Sequence, residues 1–278
     1  MAELGKVNRL TVKRIRDYGA HLDGGELGDI LLKYNDVPEN CLAGDEVEVF
    51  VYADREERLR ATTSLPYATV DEFALLPVVA NTSTGTYLDW GLEKDLFVPK
   101  SLQQVQMEVG KSYLVYIFID EFTHRVTAST KIDKFLSCEP PDYQNGEEVE
   151  LVIYDQTDLG YKALVNSSHS GIIYENEVFQ ELSIGQHLQG FIKKIREDQK
   201  IDLTLQRLGA KGAEDVSKTI LQAIIKRGGK INVTDKSPPE EIYAMFGVSK
   251  KIFKKAIGAL YKRRLVTIEV DGIKQVRK

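Results

Sequence analysis

The chain has 278 residues, of which 42% are hydrophobic and 28% charged, and this is the composition of an ordinary globular protein. No apolar run approaches the roughly 18 residues of a membrane helix, so we expect no membrane partner. Two distant cysteines, Cys41 and Cys138, and four histidines without ligand-like spacing argue against a disulfide framework, and they predict neither a metal site nor a cofactor.

Charge is distributed unevenly along the chain. Residues 211–278 contain 16 Lys/Arg and 7 Asp/Glu, a net charge of +9, whereas the first 210 residues carry a net charge of -14. A basic segment favours a polyanionic partner because it neutralises phosphates, while the acidic body requires local basic patches. Residues 1–12 carry charges and lack the apolar stretch of a signal peptide, so we expect a cytoplasmic protein.

Three copies of one unit occupy most of the chain. In each copy a glycine is followed 25 residues later by a second glycine, as in the pairs Gly19 and Gly44, Gly85 and Gly110, and Gly160 and Gly185. Each second glycine precedes an alternating segment, EVEVFVY, SYLVYIFI or HLQGFIKKI, and 14 or 15 residues after it a basic residue leads the last segment. The repeat predicts modules at 1–65, 66–139 and 140–208.

Each unit contains about five short strands. In the first unit these are GKVNRLTVKRI, AHLDG, GDILLKY, EVEVFVY and LRATTS, separated by turn residues. An all-β unit of about 65 residues hides its sheet edges by curling into a small barrel, and the five-stranded oligonucleotide-binding (OB) fold is the common solution. Its binding face is formed by strands two and three.

The basic tail, 213–278, has a different pattern. Val216, Ile220 and Ile224 lie on one face of a helix over 213–227, which Gly228 ends. A second helix is predicted to start at a capping box, Ser237-Pro238-Pro239-Glu240, and to run to Phe246 before Gly247.

A third helix, capped by Ser249, has its apolar stripe at Ile252, Phe253, Ala256, Ile257 and Leu260, with Lys250, Lys251, Lys254, Lys255 and Lys262 outside. LVTIEV and IKQVRK then form a hairpin around a type I′ turn at Asp271-Gly272. Three helices and a hairpin predict a winged helix with the third helix in the recognition position. The predicted fold class is therefore mainly β with a C-terminal α/β part.

The three modules resemble the ribosomal S-one type RNA-binding module. Its signature is an aromatic residue before a glycine, an aromatic two residues after it, a His on strand three, and an acid four residues before an Arg. The corresponding positions are Tyr18, His21, Leu32, Asp54 and Arg58; Thr84, Tyr87, Val98, Glu121 and Arg125; and Leu159, Lys162, Tyr174, Arg196 and Lys200. The strand-three His is absent from all three copies.

The order of modules also resembles a known family. Three such modules followed by a winged helix, with LGYKALVNSSHSGIIYENEVF and IKKIREDQKIDLTLQ in the third repeat, are similar to the bacterial conserved virulence factor B family. The resemblance covers nearly the whole chain. It implies an RNA-binding regulator without known catalytic residues.

Bases stack on aromatic rings, and Arg or Lys holds phosphates. The candidate RNA-binding residues on the modules are Tyr18, His21, Arg58, Tyr87, Arg125, Lys162, Tyr174, Lys193, Lys194, Arg196 and Lys200, and those on the third helix are Lys250, Lys251, Lys254 and Lys255. The alternatives are structural: tyrosines at a barrel rim, edge-strand charges, glycines at turns or bulges, and solvated lysines. Carboxylates such as Asp54 and Asp198 are expected in solvated turns rather than in a nuclease site.

Three functions compete on this evidence. The first is a non-catalytic protein that binds single-stranded RNA and acts on translation or transcript stability, with the ribosome or another nucleic acid as a further partner. The second is a DNA-binding transcription regulator that uses the winged helix. The third is an RNA-processing enzyme, but the modules and winged helix leave no room for a catalytic domain, so no enzyme is expected. The oligomeric state is left open.

Overall fold

A computed structural model describes residues 1–54, 56–178, 180–206 and 209–276. By internal contacts the chain divides into two compact units, Met1–Leu136 and Ser137–Lys278. The predicted fold class is confirmed, because the described chain is mainly β, with three five-stranded OB-type modules followed by a winged helix. The limits of the individual domains stay a prediction.

The first module is a closed barrel. Its strands are β1 (Val7–Arg16), β2 (Gly19–Asp23), β3 (Asp29–Lys33), β4 (Glu46–Ala53) and β5 (Leu59–Thr62). They follow the order β1-β2-β3-β5-β4, with β3 and β5 parallel and the other pairs antiparallel. Alternation along β2 turns Ala20 and Leu22 into the core, and the same alternation on β3 buries Ile30 and Leu32.

In the second module two strands that lie side by side are not joined by a β-ladder, which leaves a seam in an otherwise closed barrel. Its strands are β6 (Phe73–Asn81), β7 (Gly85–Leu88), β8 (Leu96–Pro99), β9 (Ser112–Ile119) and β10 (Val126–Ser129). The order β10-β9-β6-β7-β8 leaves β8 and β10 at the two sheet edges. Loop contacts bridge one end of the seam: the carbonyl of Leu102 accepts from the Ser129 hydroxyl at 3.0 Å and from the Thr130 N–H at 3.1 Å.

The third module is closed like the first. Its strands are β11 (Glu148–Thr157), β12 (Gly160–Val165), β13 (His169–Tyr174), β14 (His187–Ile195) and β15 (Ile201–Thr204), in the order β11-β12-β13-β15-β14. Inward-facing Val149, Leu151, Ile153, Ile173 and Ile192 fill its core. The three copies therefore share one strand order, as the repeat predicted.

Strand β4 is buried on both faces, and this joins the first two modules. Val47, Val49 and Val51 face the core of the first barrel. On the opposite face, Phe50 and Tyr52 belong to the core of the second module. The Phe50 ring meets the Trp90 indole edge to face, with centroids 5.6 Å apart at 84°. A strand of an OB fold normally has one face exposed to solvent. Burial of both faces of β4 therefore fixes the second module against the first.

The first glycine of each repeat begins the second strand of its module and allows that strand to lie close to the third strand. A Cβ added there would overlap a carbonyl oxygen of strand three, at 2.1 Å for Gly19, 2.4 Å for Gly85 and 2.2 Å for Gly160. The second glycines all have positive φ: 99° at Gly44, 83° at Gly110 and 81° at Gly185. The recurring glycines therefore have the structural role that the sequence favoured.

The winged helix consists of α1 (Gly209–Lys226), β16 (Lys230–Ile231), α2 (Pro239–Phe246), α3 (Lys250–Lys262), β17 (Val266–Glu269) and β18 (Gly272–Gln275). Its sheet has the order β16-β18-β17. Ile220 and Ile224 of α1 pack with Phe253 and Ile257 of α3, which confirms the predicted apolar faces. Helix α1 begins four residues earlier than expected.

Two local predictions for the tail are wrong. Pro238, not Ser237, precedes α2 as its N-cap, without a side-chain cap bond, and the Ser237 hydroxyl instead accepts from the Thr234 N–H at 3.1 Å. Glu269 pairs with Gly272, so the hairpin loop is Val270 and Asp271.

Gly272 opens β18 because a Cβ there would lie 2.3 Å from the carbonyl oxygen of Ile231. Ser249 does cap α3, and Gly247 ends α2 with a φ of 66°. The last residues of the predicted hairpin, Arg277 and Lys278, lie outside the described residues.

Replacing Gly160 by Ala should destabilise the protein by about 1 to 3 kcal/mol, because its φ of 139° and the nearby carbonyl both disfavour a Cβ. The control is Gly258→Ala in α3, where an added Cβ meets no atom within 4 Å and should stabilise by about 0.5 to 1 kcal/mol. Urea unfolding of both variants measures the difference, and equal midpoints would contradict this account.

Candidate nucleic-acid interface

Tyr18 and His21 form a paired aromatic site on the outer face of the first module. Tyr18 lies in the β1–β2 turn and is 59% exposed. His21 points outward from β2 because Ala20 and Leu22 on either side face the core. The Tyr18 Oη and His21 Nε2 atoms are 3.0 Å apart, and the rings meet at 81°. The exposed tyrosine ring offers a face on which a base can stack.

The strand-three position of the signature is placed differently from expectation. Leu32 and its counterpart Val98 are completely buried in the cores of their modules. Because side chains alternate along a strand, Leu31 and Lys33, on either side of Leu32, point outward. Neither Leu32 nor Val98 can contact a ligand on the outer face.

Arg58 is held by two carboxylates in the β4–β5 hairpin. Its Nε lies 3.0 Å from Asp54 Oδ2, and its Nη2 lies 2.7 Å from Glu56. Burial alone would raise the pKa of Asp54, but hydrogen bonds and charge from Arg58, with the charge of Arg60, outweigh it and hold that pKa below its ordinary value. The acid four residues before the Arg is therefore a hairpin brace, and a phosphate would have to compete with it.

Tyr87 has an aromatic partner that the sequence reasoning missed. Tyr87 on β7 pairs directly with Phe97 on β8, and the ring centroids are 5.0 Å apart. Both rings are half-buried. The period-two pattern of LFVP, in which Leu96 and Val98 face inward, could have revealed Phe97 as an outward side chain.

Arg125 reaches from the second module to the first. Its guanidinium forms an ion pair with Glu57 of the β4–β5 hairpin. Glu121, the acid four residues before it, is exposed, and Asp120 holds the β9–β10 hairpin by accepting the N–H groups of Phe122 and Thr123. The hydrogen bond from the Thr123 N–H is the main cause of a lowered pKa at Asp120.

The structure brings predicted residues of two modules together. Tyr87 and Arg125 line a cavity of about 590 Å³ between the first and second modules. Arg58 lines a neighbouring cavity of about 290 Å³. Tyr18 and His21 line neither cavity. The candidate residues of this unit thus fall into an outer-face pair and an inter-module group.

The basic patch of the third module is largely neutralised. Lys193 pairs with Glu177, Arg196 with Asp202 at 2.7 Å, and Lys200 with Asp198 at 2.9 Å. Lys194 is exposed and forms no ion pair with the described residues. The density of cations in the sequence therefore overstates the positive charge of this surface.

Tyr174 lies at the centre of that patch. Its hydroxyl donates to Asp202 at 3.2 Å, and Lys193 and Arg196 lie 5.7 and 5.8 Å from the ring centroid. On the neighbouring strands Lys162 lies 5.5 Å from the ring of Tyr154, a second aromatic that the sequence reasoning missed. This module therefore combines rings with cations on the face where OB folds bind.

The lysines of α3 differ in their surroundings. Lys251 and Lys255 are exposed and form no ion pair within the described part of the chain. Lys254 lies 3.8 Å from Asp235. Lys250, expected outside, is half-buried because its ammonium donates to the carbonyl of Ser237 at 2.9 Å. The basic face of α3 is therefore centred on Lys251 and Lys255.

No helix in the described ranges combines the length and apolarity of a membrane span. No group of three or more His, Cys, Asp or Glu side chains there could hold a metal ion.

Comparison with known proteins identifies two domains. The S1 domain family matches residues 4–64, and the CvfB-like winged helix domain matches residues 218–274. Fold and domains together define a multidomain protein of the nucleic-acid-binding class.

The relatives extend the match to most of the chain. Conserved virulence factor B of Staphylococcus epidermidis is 25% identical over 284 aligned positions, which cover 99% of this chain and 95% of the relative. The Staphylococcus aureus protein of the same name is 27% identical over 242 positions, covering 84% and 81%. The predicted resemblance to the conserved virulence factor B family is thereby confirmed.

A solved structure also aligns along the chain. It is described as a multidomain protein with nucleic acid binding domains from Streptococcus pneumoniae, is 24% identical, and covers 98% of both chains with a TM-score of 0.43.

Replacing Tyr18, His21 and Arg58 together by Ala should weaken single-stranded RNA binding about tenfold or more, because one base stack is lost. The exposed positions of Tyr18 and Arg58 should leave the fold intact. The control is Arg9→Ala, which removes another exposed cation that is paired with a carboxylate, Glu46. Fluorescence anisotropy with a labelled oligoribonucleotide measures the affinity of both variants. A folded triple variant that binds RNA like the parent would show that this face does not bind RNA.

Proposed function

We propose that this protein is a non-catalytic, cytoplasmic regulator that binds single-stranded RNA and acts on translation or transcript stability. One observation carries the proposal: in all three modules, aromatic rings on or next to strands two and three share a surface or a cavity with cations. The instances are Tyr18 with His21 and Arg14, Tyr87 and Phe97 with Arg125, and Tyr174 with Lys193 and Arg196.

This arrangement favours single strands over duplexes. Stacking on a ring requires an unpaired base, and it tolerates any base because every base has a π-face. The cations beside the rings are themselves paired with carboxylates, as at Arg196 and Asp202. The modules therefore supply short-range contacts rather than long-range attraction.

The winged helix supplies the long-range attraction in this proposal. The segment 211–278 has a net charge of +9, and Lys251 and Lys255 project from α3 into solvent. A lysine-lined helix in the recognition position also supports the second candidate, a regulator of duplex DNA. The two candidates predict opposite orders of preference for the two nucleic acids.

The full chain should bind single-stranded RNA with an affinity that falls as salt rises. With about four to six phosphates neutralised, the slope of log K against log salt should be roughly -3 to -4. Unlabelled single-stranded RNA should displace a labelled RNA better than duplex DNA of equal length. Preferential displacement by the duplex would favour the DNA regulator, and no binding at low salt would overturn both candidates.

Changing Lys251 and Lys255 to Gln should flatten the salt dependence. Each lost phosphate contact reduces the slope by about 0.7 for a single strand, so the double variant should lose up to about 1.4. The control changes Arg9 and Lys111, two exposed cations paired with Glu46 and Glu108, and removes the same net charge. If both double variants behave alike, α3 contributes only its charge and makes no direct contact.

A further inference from the structure

A continuous groove runs between the first and second modules. The two cavities described above, of about 590 and 290 Å³, share Tyr52 and Lys94 in their linings. The volume of the larger cavity falls within the roughly 300 to 1,000 Å³ of sites that hold small organic ligands. The groove exists because Phe50 and Tyr52 attach the second module to the first.

One wall of the larger cavity is aromatic. Tyr87 and Phe97 come from the outer faces of β7 and β8, and Trp90 also contributes to the lining of the cavity. The seam of the second module also lies here, since Phe97 of β8 and Val126 of β10 both line the cavity. A planar ring entering the groove would therefore meet two aromatic side chains.

Lys94 lies where the two cavities meet. Its backbone is held by Trp90, whose Nε1 donates to the Lys94 carbonyl at 2.6 Å. Its ammonium is half-buried and donates to the backbone carbonyl of Asp54 at 3.0 Å. Among the described residues it forms no ion pair with a carboxylate, so its charge is only partly compensated.

The electrostatic setting of Lys94 favours an added anion. Burial lowers the pKa of its ammonium, with Glu57 opposing the shift and the nearby guanidinium of Arg125 reinforcing it. A phosphate would relieve both effects, because it supplies hydrogen-bond acceptors to the Lys94 ammonium and adds negative charge beside Lys94 and Arg125.

We propose that this groove holds one unpaired nucleotide of a bound single-stranded RNA, with its base against Tyr87 and Phe97 and its phosphate on Lys94 and Arg125. This inference rests on the proposed RNA-binding function and adds a site between modules to the outer faces. Lys94 and Phe97 then belong to the interface, and the strand crosses from one module to the other at Lys94.

The groove should act only within a longer strand. Glu57 and Asp95 also line the larger cavity, so its cations are nearly balanced by carboxylates. Long-range electrostatic attraction of the RNA comes from the winged helix. The groove contributes stacking and one phosphate contact after the strand is bound.

The test uses the full chain, a labelled 12-nucleotide single-stranded RNA and matched variants of the second module. Lys94→Gln should weaken binding and reduce the salt slope by about 0.7, while Lys94→Arg should keep both near the parent. The control Lys134→Gln removes the charge of an exposed lysine that does not line the groove.

Phe97→Leu should weaken binding about tenfold, because it removes a stacking ring. The control Phe118→Leu, which alters a half-buried ring in a separate cluster, should leave binding near the parent.

Trp90, the one tryptophan in the sequence, provides a direct readout. Unlabelled RNA should change its emission in the parent and less so in Lys94→Gln. Thermal unfolding confirms that each variant is folded. If the parent binds RNA and the groove variants match their controls, the groove site is overturned while the proposed function stands. If the parent binds no RNA at any salt concentration, the proposed function fails as well.

Discussion

The contact of Phe50 with Trp90 determines how the first two modules work together. Strand β4 must bury its inner face in its own barrel, so Phe50 and Tyr52 project outward and need a second cover. Two large aromatic side chains left in water would cost several kcal/mol. Burying them against the second module removes that cost and leaves a groove beside the contact. The candidate residues Arg58, Tyr87 and Arg125 reach neighbouring cavities only because of this packing.

Charge is arranged so that short-range and long-range contacts are separated. In the three modules most candidate cations are already paired with carboxylates in hairpins or on adjacent strands, as with Arg58, Arg125 and Arg196. In α3, by contrast, Lys251 and Lys255 face solvent. Exposed surface pairs contribute little to stability, so these partners serve mainly to position the side chains and limit the field of the modules.

Predictions from the sequence were correct for features that depend on neighbouring residues. They failed for features that depend on a residue distant in the chain. The cap at Ser249 and the left-handed Gly247 depend on neighbouring residues, and both are as predicted. The prediction of a turn at Asp271-Gly272 was wrong because Gly272 is needed at the start of β18, where the carbonyl oxygen of Ile231 on another strand approaches it. Lys94 carries no local signal at all, because its surroundings are formed by a hairpin 40 residues earlier in the chain.

By itself the sequence determined the repeat, the five strands of the modules, the winged helix and the split of charge. Each follows from periodicity, from glycines that admit close strands, or from composition, and none requires knowledge of distant contacts. Only the tertiary structure decided that no ladder closes the middle module, that the basic patch around Tyr174 is largely neutralised, and that Lys94 lies between two modules. The physical reason is that pairing and burial depend on which outward faces meet, and alternation along a strand says which side chains point outward but not what covers them.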